Sequence, residues 1–372
     1  MIPVYKPYLN DEILSYAHSA LDSTWISSKG QYIIEVENIL SSIYSVNDAR
    51  INSVLTMNNG TAAMHLVARL LSKEYPNITK IIVPNNVYVA AWNAFLFDKK
   101  YSLQAIDADA NTWNYNLDQL YETLASSNLE TTALLVVHNL GNIVNVPKIQ
   151  RDWKGLVIVE DNCEGFGGTY EGYQSGSLSF ASALSFFGNK NITCGEGGAV
   201  VAQNYHAGYL YKLRSQGQSE TRFVHDELGY NYRMTNIQAA ILYGQLAVKN
   251  VILEKKKLVF NLYHKLISNI SEVKFQKLDN NTQHSNWMFG IKLNNGNYNE
   301  AEQFFGSNYI EVRPMFYPIH THNHLQSVPC EHSNIAEQLN NQCIVLPSYP
   351  ELQEHEICHI VNTLKQYIYS KK

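Results

Sequence analysis

A lysine stands where an apolar run gives way to a glycine-rich turn. Ala183-Leu184-Ser185-Phe186-Phe187 leads into Gly188-Asn189-Lys190-Asn191, and Gly195-Glu196-Gly197-Gly198 follows. An amine at the end of a buried strand can project into a low-dielectric cleft and serve as a nucleophile. A surface lysine would use the same position for nothing more than solvation, so Lys190 needs a partner to carry meaning. That partner is Asp161, which ends the apolar run Val157-Ile158-Val159-Glu160-Asp161-Asn162. Alone, a strand-end aspartate also serves metal binding, capping or a turn. With Lys190 on what reads as the next strand of one sheet, the relation is that of a carboxylate salted to a cofactor's pyridinium and a lysine forming its Schiff base. A third group, Asn58-Asn59-Gly60-Thr61-Ala62-Ala63, opens a helix with small residues, where free amides and the helix dipole receive a phosphate.

The elements that must position these groups follow from the pattern around them. Ile81-Ile82-Val83 before Pro84, Ala133 to Val137, Leu156 to Val159 and Ala183 to Phe187 read as strands separated by helix-length segments. Runs apolar on both faces call for a mostly parallel sheet covered on both sides, a doubly wound α/β domain. Ligands of such sheets bind beyond the carboxyl ends of the strands, where Asp161 and Lys190 fall. Helices are expected over Thr61 to Leu71 and, as one long element linking two domains, over Asn236 to Lys257. Beyond about residue 250 the texture changes to charged helix, a strand around Trp287 to Ile291 and a final helix near Glu354 to Tyr369, a smaller α+β domain. The division expected is 1–245 for the large domain and 246–372 for the small one.

The 372 residues are ample for two packed domains. With 28 Lys and Arg against 33 Asp and Glu, a net charge of −5 and no basic block, nucleic acid is excluded as a partner. Five scattered cysteines without a C-x-x-C pair suggest neither disulfide framework nor zinc knuckle, and fit a reducing cytoplasm. No export signal opens the chain and no apolar run approaches the ~18 residues of a membrane span, so the expectation is a soluble protein. His320, His322 and His324 alternate along one stretch, but no carboxylate or cysteine stands nearby at ligand spacing, and no metal is expected. Walker and dinucleotide-binding loops are absent; Gly165-Phe166-Gly167-Gly168 lacks the full pattern. Glu196 either orients backbone near Lys190 or ends a hairpin.

Several further motifs then stand in order: Leu21-Asp22-Ser23-Thr24-Trp25-Ile26-Ser27-Ser28-Lys29-Gly30, Asn59-Gly60-Thr61-Ala62-Ala63, Ser185-Phe186-Phe187-Gly188-Asn189-Lys190, Gly229-Tyr230-Asn231-Tyr232-Arg233-Met234-Thr235-Asn236 and Arg313-Pro314-Met315-Phe316-Tyr317-Pro318-Ile319-His320. Through nearly its whole length the chain resembles the sugar-nucleotide aminotransferases of the DegT/DnrJ/StrS family, pyridoxal-phosphate (PLP) enzymes of fold type I. The resemblance implies that Lys190 bonds the cofactor, that Asp161 pairs with its pyridine nitrogen, that Tyr88 stacks on it and that Glu164 lies near its ring hydroxyl. Gly60, Thr61, Ala62 and Ser185 would hold the phosphate, joined by Asn231 from a neighbouring subunit, which implies a homodimer with shared active sites. Arg313 and His320, with Trp25, Ser27 and Ser28, would border the sugar nucleotide.

The reaction implied is amino transfer from L-glutamate to C4 of a nucleotide-linked 4-keto-6-deoxyhexose for a surface polysaccharide. The first expectation is a GDP sugar, with a dTDP- or UDP-linked gluco sugar as the alternative. A sibling class of 3-dehydratases has histidine in place of the lysine, and a non-catalytic homologue would have lost cofactor residues; Lys190, Asp161, Ser185 and Asn231 argue against both. The chain departs from the family's familiar pattern at Asn85, Asn86 and Trp92, and in Asn162-Cys163 after Asp161.

Overall fold

The computed structural model describes residues 1–46, 50–331 and 334–371. The large sheet contains β1 (Asn52–Met57), β2 (Lys80–Pro84), β3 (Ser102–Ile106), β4 (Thr132–Val137) and β5 (Val157–Asp161). After a hairpin of β6 (Thr169–Tyr170) and β7 (Tyr173–Gln174), it is completed by β8 (Ala181–Ser185) and β9 (Gly198–Gln203). The order is β1-β9-β8-β5-β4-β2-β3, and β9 alone runs against its neighbours. Every residue of β4 and β5 is buried, as both-face coverage by helices requires.

Helices α1 (Asp11–Asp22) and α2 (Gln31–Tyr44) precede the sheet, and α3 (Gly60–Glu74), α4 (Ala90–Leu96), α5 (Leu117–Ala125) and α6 (Val146–Asp152) form its crossovers. Helix α3 packs on β1, β8 and β9 with Ala63, Leu66, Val67 and Leu70 fully buried, the spacing read from the sequence. After β9 come α7 (Ala207–Arg214), α8 (Asn236–Ala247) and α9 (Lys249–Ile267). The single helix expected over Asn236 to Lys257 is therefore two. Residues of α8 pack with α2 and the large sheet, whereas Val259, Phe260, Tyr263 and Ile267 of α9 belong to the core of the second sheet. One straight helix does not serve two cores that face different ways, and the chain breaks at Val248 (φ −104°, ψ 15°).

The second sheet has the order β10-β12-β14-β13, all antiparallel, from β10 (Val273–Lys274), β12 (Phe289–Leu293), β13 (Arg313–Pro314) and β14 (Cys343–Leu346), while β11 (Thr282–Gln283) pairs with β6. Helices α9, α10 (Tyr298–Ser307) and α12 (Glu354–Tyr369) bury one apolar core against it, with α11 (Asn334–Gln342) just before β14. The N-terminal arm runs with this part of the molecule: Ile2 bridges Ile310, and the Val4 amide donates to the Glu311 carboxylate at 2.9 Å. Among the described residues no helix is long and apolar enough to cross a membrane.

Candidate active site

Strand polarity determines where the site forms. β1, β8 and β5 point the same way, so the segments after Met57, Ser185 and Asp161 emerge side by side at one edge of the sheet. Gly198, the first residue of antiparallel β9, pairs with both Met57 and Ser185. A Cβ there would lie 2.4 Å from the Asn59 carbonyl oxygen and 2.8 Å from the Gly60 nitrogen, so only glycine lets the α3 entry turn settle against the sheet. A cavity of about 660 Å³ opens above this edge.

At one end lies the N-terminus of α3. Asn59 caps it, its side-chain oxygen accepting from the Ala62 amide at 2.8 Å. The amides of Gly60 and Thr61, in the first turn, have no intrahelical acceptor and line the cavity beside Ser185. A Cβ on Gly60 would sit 2.9 Å from that of Ser185 and 3.2 Å from its hydroxyl, so the missing side chain keeps this corner open.

Deeper in, Asp161 occupies the last position of β5 and is buried, its Oδ1 accepting from the Cys163 amide at 3.1 Å. Glu164 accepts from the Leu140 amide at 2.8 Å. Leu140 takes a left-handed φ of 55°, and Gly141 follows at φ 93°, a local conformation that β-carbons disfavour. Burial, reinforced by Asp161 and opposed by Lys190, pushes the Glu164 carboxyl up to about 7.

Lys190 reaches the same space. Its Nζ lies 4.0 Å from Glu164 Oε1 and 3.7 Å from the centroid of the Trp287 ring. The strand expected through Phe187 ends at Ser185, because Phe186 and Phe187 turn away to begin the loop that aims the lysine. That loop is held from several sides: the Lys190 amide donates to Phe187 O (2.9 Å), Phe186 exchanges backbone bonds with Gly197 and Cys194, Tyr5 Oη donates to Lys190 O (2.8 Å), and Trp287 Nε1 donates to Asn189 O (2.8 Å).

The structure thus gathers Gly60, Thr61, Ala62, Tyr88, Asp161, Glu164, Ser185, Lys190 and Arg313 around one cavity. Tyr88 stands at the mouth, 61% exposed, and the half-exposed Arg313 lies next to Glu311 at 3.1 Å. Trp25, Ser27, Ser28, Asn231 and His320 lie outside the cavity of their own chain. Trp25 and Ser27 give their carbonyl oxygens to Asn236, and Ser28 Oγ accepts from Arg233 (3.0 Å), which groups that loop with the exposed Asn231 segment. The same segment is tied to the α3 entry, since the Asn58 amide donates to Tyr232 O at 2.8 Å. His320 Nε2 lies 3.4 Å from Glu337, and His322 packs on Trp92; no group of three His, Cys, Asp or Glu among the described residues could hold a metal ion.

Sequence reading missed Trp287 and the Leu140 amide. Neither stands near a motif, and Trp287 meets Lys190 only through packing of the second sheet on the first. The departures at Asn85, Trp92 and Asn162 are internal ties: Asn85 Oδ1 accepts from Ile319 (3.0 Å), Trp92 Nε1 donates to Pro84 O (2.9 Å) and Asn162 Nδ2 donates to Ser175 O (2.7 Å).

The family model described as the DegT/DnrJ/EryC1/StrS aminotransferase family matches residues 7–365. The chain is 34% identical over 377 residues to a GDP-perosamine synthase of Escherichia coli O157:H7, covering 100% of this chain and 99% of the relative. It is 32% identical over 378 residues to a GDP-perosamine synthase of Vibrio cholerae, with 99% of both covered. Among solved structures, an E. coli GDP-4-keto-6-deoxy-D-mannose-3-dehydratase with bound hydrated PLP shares the fold at a TM-score of 0.86, with 20% identity over 98% of this chain and 99% of that one. A match over nearly the whole length places this protein in the DegT/DnrJ/EryC1/StrS family of PLP-dependent sugar aminotransferases.

Proposed function

We propose that this protein transfers the amino group of L-glutamate to C4 of a GDP-linked 4-keto-6-deoxyhexose, leaving a 4-amino-4,6-dideoxyhexose nucleotide. The observation that carries the reaction type is the juxtaposition of a buried carboxylate, Asp161, and a lysine amine, Lys190, across a cavity from a helix N-terminus. The choice of sugar and nucleotide rests on the full-length similarity to two GDP-perosamine synthases.

The side chains present fit pyridoxal phosphate. The open corner between Gly60 and Ser185, with first-turn amides and a hydroxyl, suits a phosphate dianion. Asp161 is a carboxylate suited to a protonated ring nitrogen, and Lys190 is a primary amine within reach of the same space. When bound, the cofactor supplies an electron sink for the carbanion formed at the reacting carbon. Asp161 would keep the proton on the ring nitrogen. Lys190 Nζ would lift the proton from Cα of glutamate and, in the return half, deliver one to C4 of the ketosugar. Glu164 would meet the ring hydroxyl, and Tyr88 would cover the outer face. Arg313, the cation at the mouth, would meet the anionic part of each substrate.

Asn231, exposed on its own chain, would reach the phosphate of a second subunit in a homodimer. Trp25, Ser27 and Ser28, grouped with it, would then border the sugar nucleotide there, with His320 at the same pocket. The test is product analysis with ¹⁵N-labelled L-glutamate. Label is expected in a GDP-linked amino sugar from GDP-4-keto-6-deoxymannose. Label in a product from the dTDP or UDP gluco substrate alone would move the nucleotide, and loss of the C3 hydroxyl without label would replace amination by dehydration.

A further inference from the structure

Lys190 cannot stay attached to the cofactor throughout the reaction proposed above, and its free side chain has four rotatable carbons with the entropy to match. Something must hold its amine at the reacting carbon while it is released. Glu164 approaches at 4.0 Å, but its carboxyl, lifted to about 7, carries only part of a charge near neutrality. The other neighbour is the face of Trp287, whose centroid is 3.7 Å from Nζ, well inside the range in which an ammonium is drawn to an indole.

The indole is itself held at both ends. Its Nε1 donates to Asn189 O at 2.8 Å, the carbonyl directly before the lysine, so ring and lysine backbone move as one. Its own backbone carbonyl accepts from Lys256 Nζ at 2.8 Å. Lys256 lies on α9, is fully buried, makes no ion pair among the described residues, and gives a second hydrogen bond to Ser348 O. Burial drives its amine well below the usual lysine range, and a neutral amine is the form that such a site tolerates. A Met or Leu would fill that space; an amine adds two bonds, to Trp287 two residues before β12 and to Ser348 just past Pro347 after β14. These are the points where the second sheet is pinned over the lysine.

We propose that the indole face of Trp287 holds the released Lys190 amine once it has taken up the proton, a catalytic contact, and that Lys256 is the positioning residue that fixes the indole there. A ring attracts an ammonium without accepting its proton. It therefore keeps the amine near the reaction without competing with the carbon that the proton must reach. This rests on the reading of Lys190 as the proton carrier.

The test uses protein freed of cofactor, with acetylation of Lys190 by dilute acetic anhydride at pH 7 followed by peptide mass spectrometry, and exposed Lys154, in the turn before β5, as the internal standard. Trp287→Leu, which retains apolar bulk without a π-face, is expected to label Lys190 about tenfold faster. Trp287→Phe, which retains a face, is expected to stay within about threefold of the parent. In the loaded enzyme, Trp287→Leu is expected to lower kcat of the glutamate half-reaction about tenfold with KM within about twofold, and Phe to restore most of it. Equal labelling in all three proteins overturns the proposal, as does a Leu variant that changes KM or thermal stability alone. Phe labelling as fast as Leu also overturns it, because the indole N–H would then be the operative group. Should the Leu variant not fold, Lys256→Met is expected to label about threefold faster; a parental rate there overturns the proposal. Failure of the underlying reading is seen separately, as a cofactor band that survives Lys190→Ala.

Discussion

The floor of the cavity comes from strand ends of one sheet, and its roof from the edge of another. Asp161 and Ser185 end β5 and β8, and Lys190 and the Gly60 turn follow β8 and β1; Gly198 pairs with both β1 and β8, and β5 pairs with β8. Trp287 and Arg313 flank or belong to the second sheet and reach the site because α9, Tyr5 and the N-terminal arm clamp that sheet onto the first. Chemistry that must be positioned within a hydrogen bond is built on the rigid floor. Contacts that hold flexible or exchangeable groups come from the roof.

Breaking the floor has the larger effects. Lys190→Ala is expected to lower turnover by about 10³-fold or more, measured as amino-sugar product per enzyme. Asp161→Asn, which keeps shape but not charge, is expected to cost about 10²-fold in kcat with substrate KM little changed.

Glu164 sharpens the comparison through pH. Its carboxyl rises from an ordinary 4.5 to about 7 on folding, so the folded chain holds the proton more tightly than the unfolded one. That contribution to stability is fully present below pH 4.5 and lost as the pH rises through 7, at most about 3 kcal/mol. In cofactor-free protein, Glu164→Gln should therefore gain on the parent as pH climbs through this window, by denaturant melts at each pH. A difference independent of pH would remove Glu164 as the titrating group.

Next comes Gly198→Ala, whose new Cβ would meet the Asn59 carbonyl at 2.4 Å. About 2 kcal/mol of stability should be lost at unchanged m-value, and PLP should bind more weakly as the α3 entry shifts. The smallest effect belongs to the roof: Arg313→Ala, at a half-exposed guanidinium, should raise KM for an anionic substrate severalfold and leave kcat nearly intact.

The same division explains what could be read in advance. Asp161, Ser185, Lys190 and Gly60 each stand beside an apolar run, so strand polarity alone assigns them to one edge. Trp287 precedes a five-residue strand whose pattern says only that it is buried; its partner is nearly a hundred positions away, and nothing local marks the contact. The break at Val248 was hidden for a related reason: helical periodicity runs on through it while the core being buried changes from one sheet to the other. Trp25 and Asn231 were legible only by family resemblance, because on a single chain they face solvent.

The most direct measurement is the absorbance of purified protein with PLP before and after L-glutamate, then after GDP-4-keto-6-deoxymannose and, separately, dTDP-4-keto-6-deoxyglucose. A cofactor band that requires Lys190, is bleached by glutamate and is restored by the GDP sugar is expected. A band that never forms, or one that Lys190→Ala leaves unchanged, would contradict the proposed reaction.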